Sequence, residues 1–244
     1  MTSNFNDNLK PTRPGFTLVE LLFVIAIIAV LGALSAGILS KARKDAQISA
    51  TESRITQIEA IMQTVMEDFE VRRMPFRNSE LPENLTLTAV RNLRRQIVAG
   101  MILAEYPSDD ASLGQWQLPG DASFLSNRRT AEMLYWGSLT GADVPDQPGE
   151  FLHLILSRID IDGISALESL GPNVVGDPDG DGLLDIVDAF GDSMALVAVQ
   201  DTGSQLLTPL DPTTVPPSLP INEIRFKAVS STLEEIEPTV EAIQ

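Results

Sequence analysis

Five aspartates stand close together in Asp177-Pro178-Asp179-Gly180-Asp181-Gly182-Leu183-Leu184-Asp185-Ile186-Val187-Asp188. Counted from Asp177, they fall at positions 1, 3, 5, 9 and 12, with glycine at position 6. That is the ligand spacing of an EF-hand-type calcium loop: carboxylates converge on one ion, the glycine allows the sharp turn, and the next residue offers its carbonyl. Asp177, Asp179, Asp181, Asp185 and Asp188 are therefore candidate calcium ligands, together with the carbonyl of Leu183. The twelfth residue is aspartate where glutamate is usual, a shorter arm for bidentate closure. Magnesium suits so many flexible carboxylates poorly, because it demands near-ideal octahedral geometry. Without a cation these groups would repel one another; a solvated acidic turn is the alternative reading.

A second carboxylate stands out for the opposite reason. Glu20 lies about one turn inside an apolar run from Phe16 to Leu39, FTLVELLFVIAIIAVLGALSAGIL. As a helix rising about 1.5 Å per residue, that run is long enough to cross a hydrocarbon layer of about 30 Å. It is too long for the core of a cleavable secretory signal, and it continues directly into a polar helix. An ionisable group inside a membrane span is costly unless paired, so Glu20 calls for a partner. A side chain snorkelling to the membrane edge is the plainer alternative.

The flanking residues supply the context. A short polar leader with Lys10 and Arg13 ends in Pro14-Gly15, followed by Phe16-Thr17-Leu18-Val19-Glu20-Leu21-Leu22. This resembles the class III signal of type IV pilins and of type II secretion pseudopilins. The resemblance implies that a prepilin peptidase cuts after Gly15 and methylates the new amino terminus at Phe16. It also implies that the Glu20 carboxylate meets the N-terminal ammonium of a neighbouring subunit as helices stack into a filament. The physics is consistent, since two buried charges that are costly alone become tolerable as a pair and set the register between subunits. Positive charges flank the span on both sides, Lys10 and Arg13 before it and Lys41, Arg43 and Lys44 after it, so charge counting does not orient it. The resemblance does: a cytoplasmic leader, a single pass through the inner membrane and a periplasmic head. Gly32 and Gly37 weaken helix propensity in the second half of the span.

Beyond the membrane the helix is expected to continue. Ile48, Ile55, Ile58, Met62, Val65 and Phe69 form an amphipathic stripe, with Glu52, Arg54, Gln57, Glu59 and Glu67 on other faces. No proline interrupts Phe16 to Met74, so one helix reaching Pro75 is expected; a membrane helix followed by a separate coiled coil is the weaker alternative. Residues 75–170 read as a mainly helical insertion, with apolar runs over Ala89–Glu105, Arg129–Leu139 and Phe151–Ile159 and a short helix over Ile164–Leu170 after Asp162-Gly163. Turns are expected at Gly114, at Pro119-Gly120 and from Pro145 to Gly149.

After Gly171 the pattern changes to strands, over Ser193–Val199 and Ile221–Val229. Thr208 to Pro220, with five prolines, is expected to be irregular, and the acidic tail from Thr232 to Gln244 frayed or solvated. Asp188-Ala189-Phe190-Gly191-Asp192 followed by a strand is similar to a segment of major pseudopilins, whose exported heads commonly hold calcium near their C-terminal strands. In a chain without cysteine, a cation would serve as a staple.

The expected fold is α+β and pilin-like. It comprises a leader at 1–15, a transmembrane helix at 16–39, a helical spine at 40–74, the insertion at 75–170, a small antiparallel sheet region with the calcium-type loop at 171–231, and a tail at 232–244.

Composition excludes several function classes. The absence of cysteine among 244 residues removes thiolate metal sites and thiol nucleophiles, and a single histidine, His153, argues against His-based triads. Gly191-Asp192-Ser193-Met194 looks like an esterase nucleophile block but has no histidine partner pattern, so no enzyme is expected. A net charge of -17 argues against nucleic acid, and Arg91, Arg94, Arg95, Arg128 and Arg129 read as solvated helix faces or acidic-partner contacts. Trp116, Tyr135 and Trp136 read as core residues. No glycine-rich phosphate loop is present, so energy for the assembly that the resemblance implies would come from a separate ATPase.

The resulting expectation is a structural subunit of a type II secretion pseudopilus. Its partners are prepilin peptidase, copies of itself and of other pseudopilins or pilins, an inner-membrane assembly platform and membrane lipid. The alternatives are a type IV pilus subunit for adhesion, motility or DNA uptake, and a membrane-anchored calcium-dependent binding module. The bulky insertion slightly favours a minor or specialised subunit.

Overall fold

The computed structural model describes residues 16–72, 76–77, 80–81, 85–108, 113, 125, 128–200, 208–209 and 224–233. The leader through Gly15, Pro75, Gly114, Trp116, Pro119-Gly120, Pro212 to Pro220 and the tail beyond Leu233 lie outside these residues. The architecture is α+β: a long N-terminal helix, further helices, and small antiparallel sheets toward the C-terminus. The chain divides into two compact units, Met1–Ala46 and Gln47–Gln244.

Helix α1 spans Leu18–Val71 and contributes to both units. Thr17 opens it with a capping box: its hydroxyl accepts from the Glu20 amide at 3.3 Å, while Glu20 Oε2 accepts from the Thr17 amide at 2.9 Å. Over residues 18–39 the helix is apolar all round apart from Glu20, and an 18-residue window of mean hydropathy 2.8 has no buried residue. Phe16, Leu18, Val19 and Ile28 are among the large apolar side chains left exposed. Such a surface is unstable in water and suited to lipid or to neighbouring helices.

In the second unit the amphipathic stripe of α1 builds the core. Ile58, Met62 and Phe69 are buried as the periodicity requires, joined by Ile61 and Met66, while Ile48, Ile55 and Val65 are half-buried. Helix α2, Leu87–Glu105, is capped by Thr86, whose hydroxyl accepts from the Ala89 amide, and supplies Leu93, Ile97 and Ile102. A short α3, Ala131–Trp136, carries Trp136 into the same core, with its indole N–H donating to the Glu105 carbonyl at 2.9 Å. Tyr106 stacks edge-on between Phe69 and Phe226, with ring centroids 6.0 and 5.9 Å away.

Helix α4 spans Pro148–Arg158 and buries Phe151, Leu152, Ile155 and Leu156. Pro148 stands in its first turn, where a missing N–H costs nothing, so the helix begins three residues before the apolar run at Phe151. The helix expected over Ile164–Leu170 is shortened. Asp160–Ile161 and Ile164–Ser165 pair as strands β1 and β2, and helix α5 is confined to Ala166–Leu170. Asp162 and Gly163 take φ of 55° and 84°, so this Asp-Gly pair makes a hairpin turn rather than a helix start.

Strands β3, Val175–Gly176, and β4, Asp185–Ile186, form an antiparallel pair around the aspartate-rich loop. The larger sheet has the order β6-β5-β7, built from β5 at Met194–Gln200, β6 at Thr208–Pro209 and β7 at Ile224–Ser230. Thr208–Pro209, expected to be irregular, pairs with Val199 and Gln200 at the sheet edge, where a proline is tolerated. Met194, Leu196 and Ala198 of β5 and Ile224, Phe226 and Ala228 of β7 face the core, and α4 packs against β4 and β5.

Candidate functional site

The aspartate-rich loop separates into two groups with different surroundings. Asp177, Asp179 and Asp181 are exposed between β3 and β4, and each closes a small local turn. Asp177 accepts from the Gly180 amide at 2.7 Å, Asp181 from the Leu183 amide at 2.8 Å, and Asp179 from the Asp181 amide at 3.4 Å. Gly180 and Gly182 have φ of 79° and 97°, the left-handed region that the sharp turn demands. Leu183 is half-buried.

Asp185 and Asp188 are buried instead. Asp185 Oδ1 accepts from the Ser193 hydroxyl at 2.8 Å, while its Oδ2 is buried with no hydrogen-bond partner. Burial pushes the Asp185 carboxyl above its ordinary range. The Ser193 hydrogen bond opposes that shift, and the charges of Asp179, Asp181 and Asp177 add to it.

Asp188 does not join the loop's other carboxylates. Its Oδ1 accepts from the amides of Phe190, Gly191 and Asp192 at 2.8 to 3.0 Å, and its Oδ2 accepts from the Ser230 hydroxyl at 2.6 Å. Both oxygens hold a turn and a strand end, so Asp188, expected at position 12 of the loop, acts as a cap for this turn.

Among the described residues, the carboxylate oxygens that lie within 4.8 Å of one another belong to Asp146, Glu150, Asp179 and Asp181. Asp146 and Glu150 stand at the N-terminal end of α4. Glu150 completes a capping box, its Oε2 accepting from the amides of Asp146 and Gln147 at 2.8 and 3.2 Å. Its Oε1 is buried without a partner. Burial raises the Glu150 carboxyl; the Gln147 and Asp146 amides counter this, and the charges of Asp181 and Asp146 reinforce it.

Close approach of α4 to the loop requires Gly149. A Cβ there would collide with Ser193 Oγ and Asp185 Oδ1. A cleft of about 530 Å³ opens at the same place, lined by Gln147, Pro148, Asp179, Asp185 and Ser193. The helix-start signal Pro148-Gly149-Glu150 is visible in the sequence, but nothing local in it points to a loop about thirty residues away.

A second cluster joins α1 to the segment after β4. Arg54 donates to the Val187 carbonyl at 2.8 Å, Gln47 to the Ala189 carbonyl at 3.1 Å, and Thr51 accepts from the Ala189 amide at 3.1 Å. Thr51 is fully buried, so the polar residues of this α1 face serve to dock Val187–Ala189.

At the other end of α1, Phe16 is 77% exposed. Glu20 is also exposed, and both the amide and the hydroxyl of Thr17 donate to its Oε2 at 2.9 Å. His153 is half-buried on α4, and burial lowers its pKa. Trp136 is a core residue, whereas Tyr135 is half-buried beneath the Arg158 guanidinium, 3.9 Å from its ring centre.

The prokaryotic N-terminal methylation motif matches residues 11–36. This is the signature of type IV pilins and pseudopilins; confined to the leader junction and the apolar helix, it supports a pilin-like chain with a single membrane anchor. It implies processing by a prepilin peptidase and assembly into pilin-type filaments. No curated protein and no solved structure matches the chain.

Proposed function

We propose that this pilin-like chain is a subunit of a type II secretion pseudopilus, cut between Gly15 and Phe16 and assembled into a short periplasmic fibre. The observation that carries the reading is the methylation motif ending in an apolar helix with one internal carboxylate, Glu20. Assembly uses that carboxylate as the partner of a neighbouring subunit's methylated amino terminus. The exposed apolar surface of α1 passes from lipid to helix contacts within the fibre. Its function is mechanical rather than catalytic.

The choice of secretion fibre over surface pilus is supported by Asp188–Asp192. This segment resembles that of major pseudopilins, is held on α1 by Gln47 and Thr51, and leads into β5. The test joins processing to phenotype. The N-terminal peptide from native membranes is expected to begin at N-methylated Phe16, and deletion of the gene is expected to remove proteins from the secretome while surface pili persist. Loss of pili with an unchanged secretome would assign the chain to a type IV pilus. An intact leader would leave a plain anchor carrying a binding module.

A further inference from the structure

We propose that Asp146 and Glu150, at the N-terminal end of α4, and Asp179 and Asp181, in the β3–β4 loop, together hold one calcium ion that clamps the helix to the loop. This site does not depend on the filament reading, because it lies wholly in the head and requires neither processing nor assembly.

Three observations converge. The four oxygens lie within 4.8 Å of one another, a spread that matches opposite ligands of an ion bound at about 2.4 Å, the ordinary calcium–oxygen distance. Glu150 is 1% exposed and its Oε1 has no hydrogen-bond partner; Asp185, fully buried and lining the cleft that Asp179 also lines, leaves Oδ2 equally unpartnered. Buried carboxylate oxygens without donors are costly, and a cation is the group that satisfies them. Finally, the site is built from hard anionic oxygen donors with no imidazole or thiolate, which selects calcium over zinc or copper. Flexible side chains from two separate elements suit calcium's variable coordination better than the rigid octahedron of magnesium.

This arrangement differs from a self-contained twelve-residue loop in one decisive respect. Asp188 is occupied elsewhere, and half of the donor set comes from a helix outside the loop. The ion is therefore a tertiary crosslink, tying the aspartate-rich turn to the helical part of the head.

The test uses the full chain in detergent micelles, stripped with a chelator and titrated with calcium chloride by calorimetry and thermal melting. One calcium per chain and a rise in melting temperature are expected, with magnesium chloride producing neither at equal concentration. Asp146→Asn changes an exposed side chain and relieves repulsion in the empty cluster, so it should not lower the melting temperature of the stripped protein while weakening calcium binding about tenfold or more, as expected when ligand charge is removed. Asp181→Asn should do the same. Calcium binding that is undiminished in Asp146→Asn would overturn the clamp in favour of a loop-only site, and absence of any calcium response would overturn the site altogether.

Discussion

The hydroxyl of Ser230, the last residue of β7, donates to Asp188 Oδ2 at 2.6 Å, while Asp188 Oδ1 gathers the three amides of residues 190–192. One carboxylate thus fastens the turn entering β5 to the end of its partner strand. Because the adjacent Ala189 is held by Thr51 and Gln47, the same turn is pinned to α1.

Asp188→Ala would leave several donors of this buried turn without an acceptor. A loss of roughly 2–5 kcal/mol in unfolding free energy is expected, read by urea denaturation. Asp188→Asn keeps one acceptor oxygen for the amides and should cost less than half as much. Calcium affinity should survive in Asp188→Asn; its disappearance would return Asp188 to the ion's ligand set.

Gly149→Ala places a methyl against Ser193 and Asp185, at a site where helix and loop are in direct contact. The gain in helix propensity, about 1 kcal/mol, is expected to be outweighed by overpacking of about 1–3 kcal/mol. Thermal melts that show a more stable variant would mean that α4 can retreat from the loop at little cost.

Glu20 has two roles that can be separated. Within one chain it caps α1 through Thr17, and in the filament its charge is the proposed partner of a neighbour's amino terminus. Glu20→Gln retains an acceptor for the cap but removes the charge, whereas Glu20→Ala removes both. Membrane fractionation should find each variant inserted as the wild type is, and electron microscopy should find filaments lost in both. Normal filaments from Glu20→Gln would show that the cap alone matters.

His153 is the single histidine of the chain, so its titration can be followed directly by NMR. Burial lowers its pKa below the ordinary 6.5, which means the unfolded chain takes up the proton first. Its contribution to stability is therefore complete above pH 6.5 and is lost as the pH falls toward the folded value. Asp185 and Glu150, raised by burial, act in the opposite sense, so the histidine's own signal is the proper readout. A midpoint at or above 6.5 would contradict the half-buried placement on α4.

Much of this protein is determined by local sequence. The leader junction at Gly15-Phe16, the apolar run with Glu20 inside it and the seven-three-four stripe of α1 are short-range patterns, and helix periodicity and membrane length follow from them directly. The same holds for α2 and for β5 and β7, whose bounds moved by only a few residues. Asp162-Gly163 reads locally as the opening of a helix, and only the pairing of Asp160–Ile161 with Ile164–Ser165 makes it a hairpin turn.

The surroundings of each acidic residue were decided by the tertiary structure. Spacing alone makes Asp177 to Asp188 one ligand set, because a linear pattern cannot reveal which carboxylates meet other donors first. Folding brings three amides and Ser230 to Asp188, draws Asp185 onto Ser193, and carries Asp146 and Glu150 to the loop on the end of α4. The contacts of Asp188 with residues 190–192 are local, but those with Ser230 and the approach of α4 to the loop join residues far apart in the chain through packing, and no local rule of spacing encodes them.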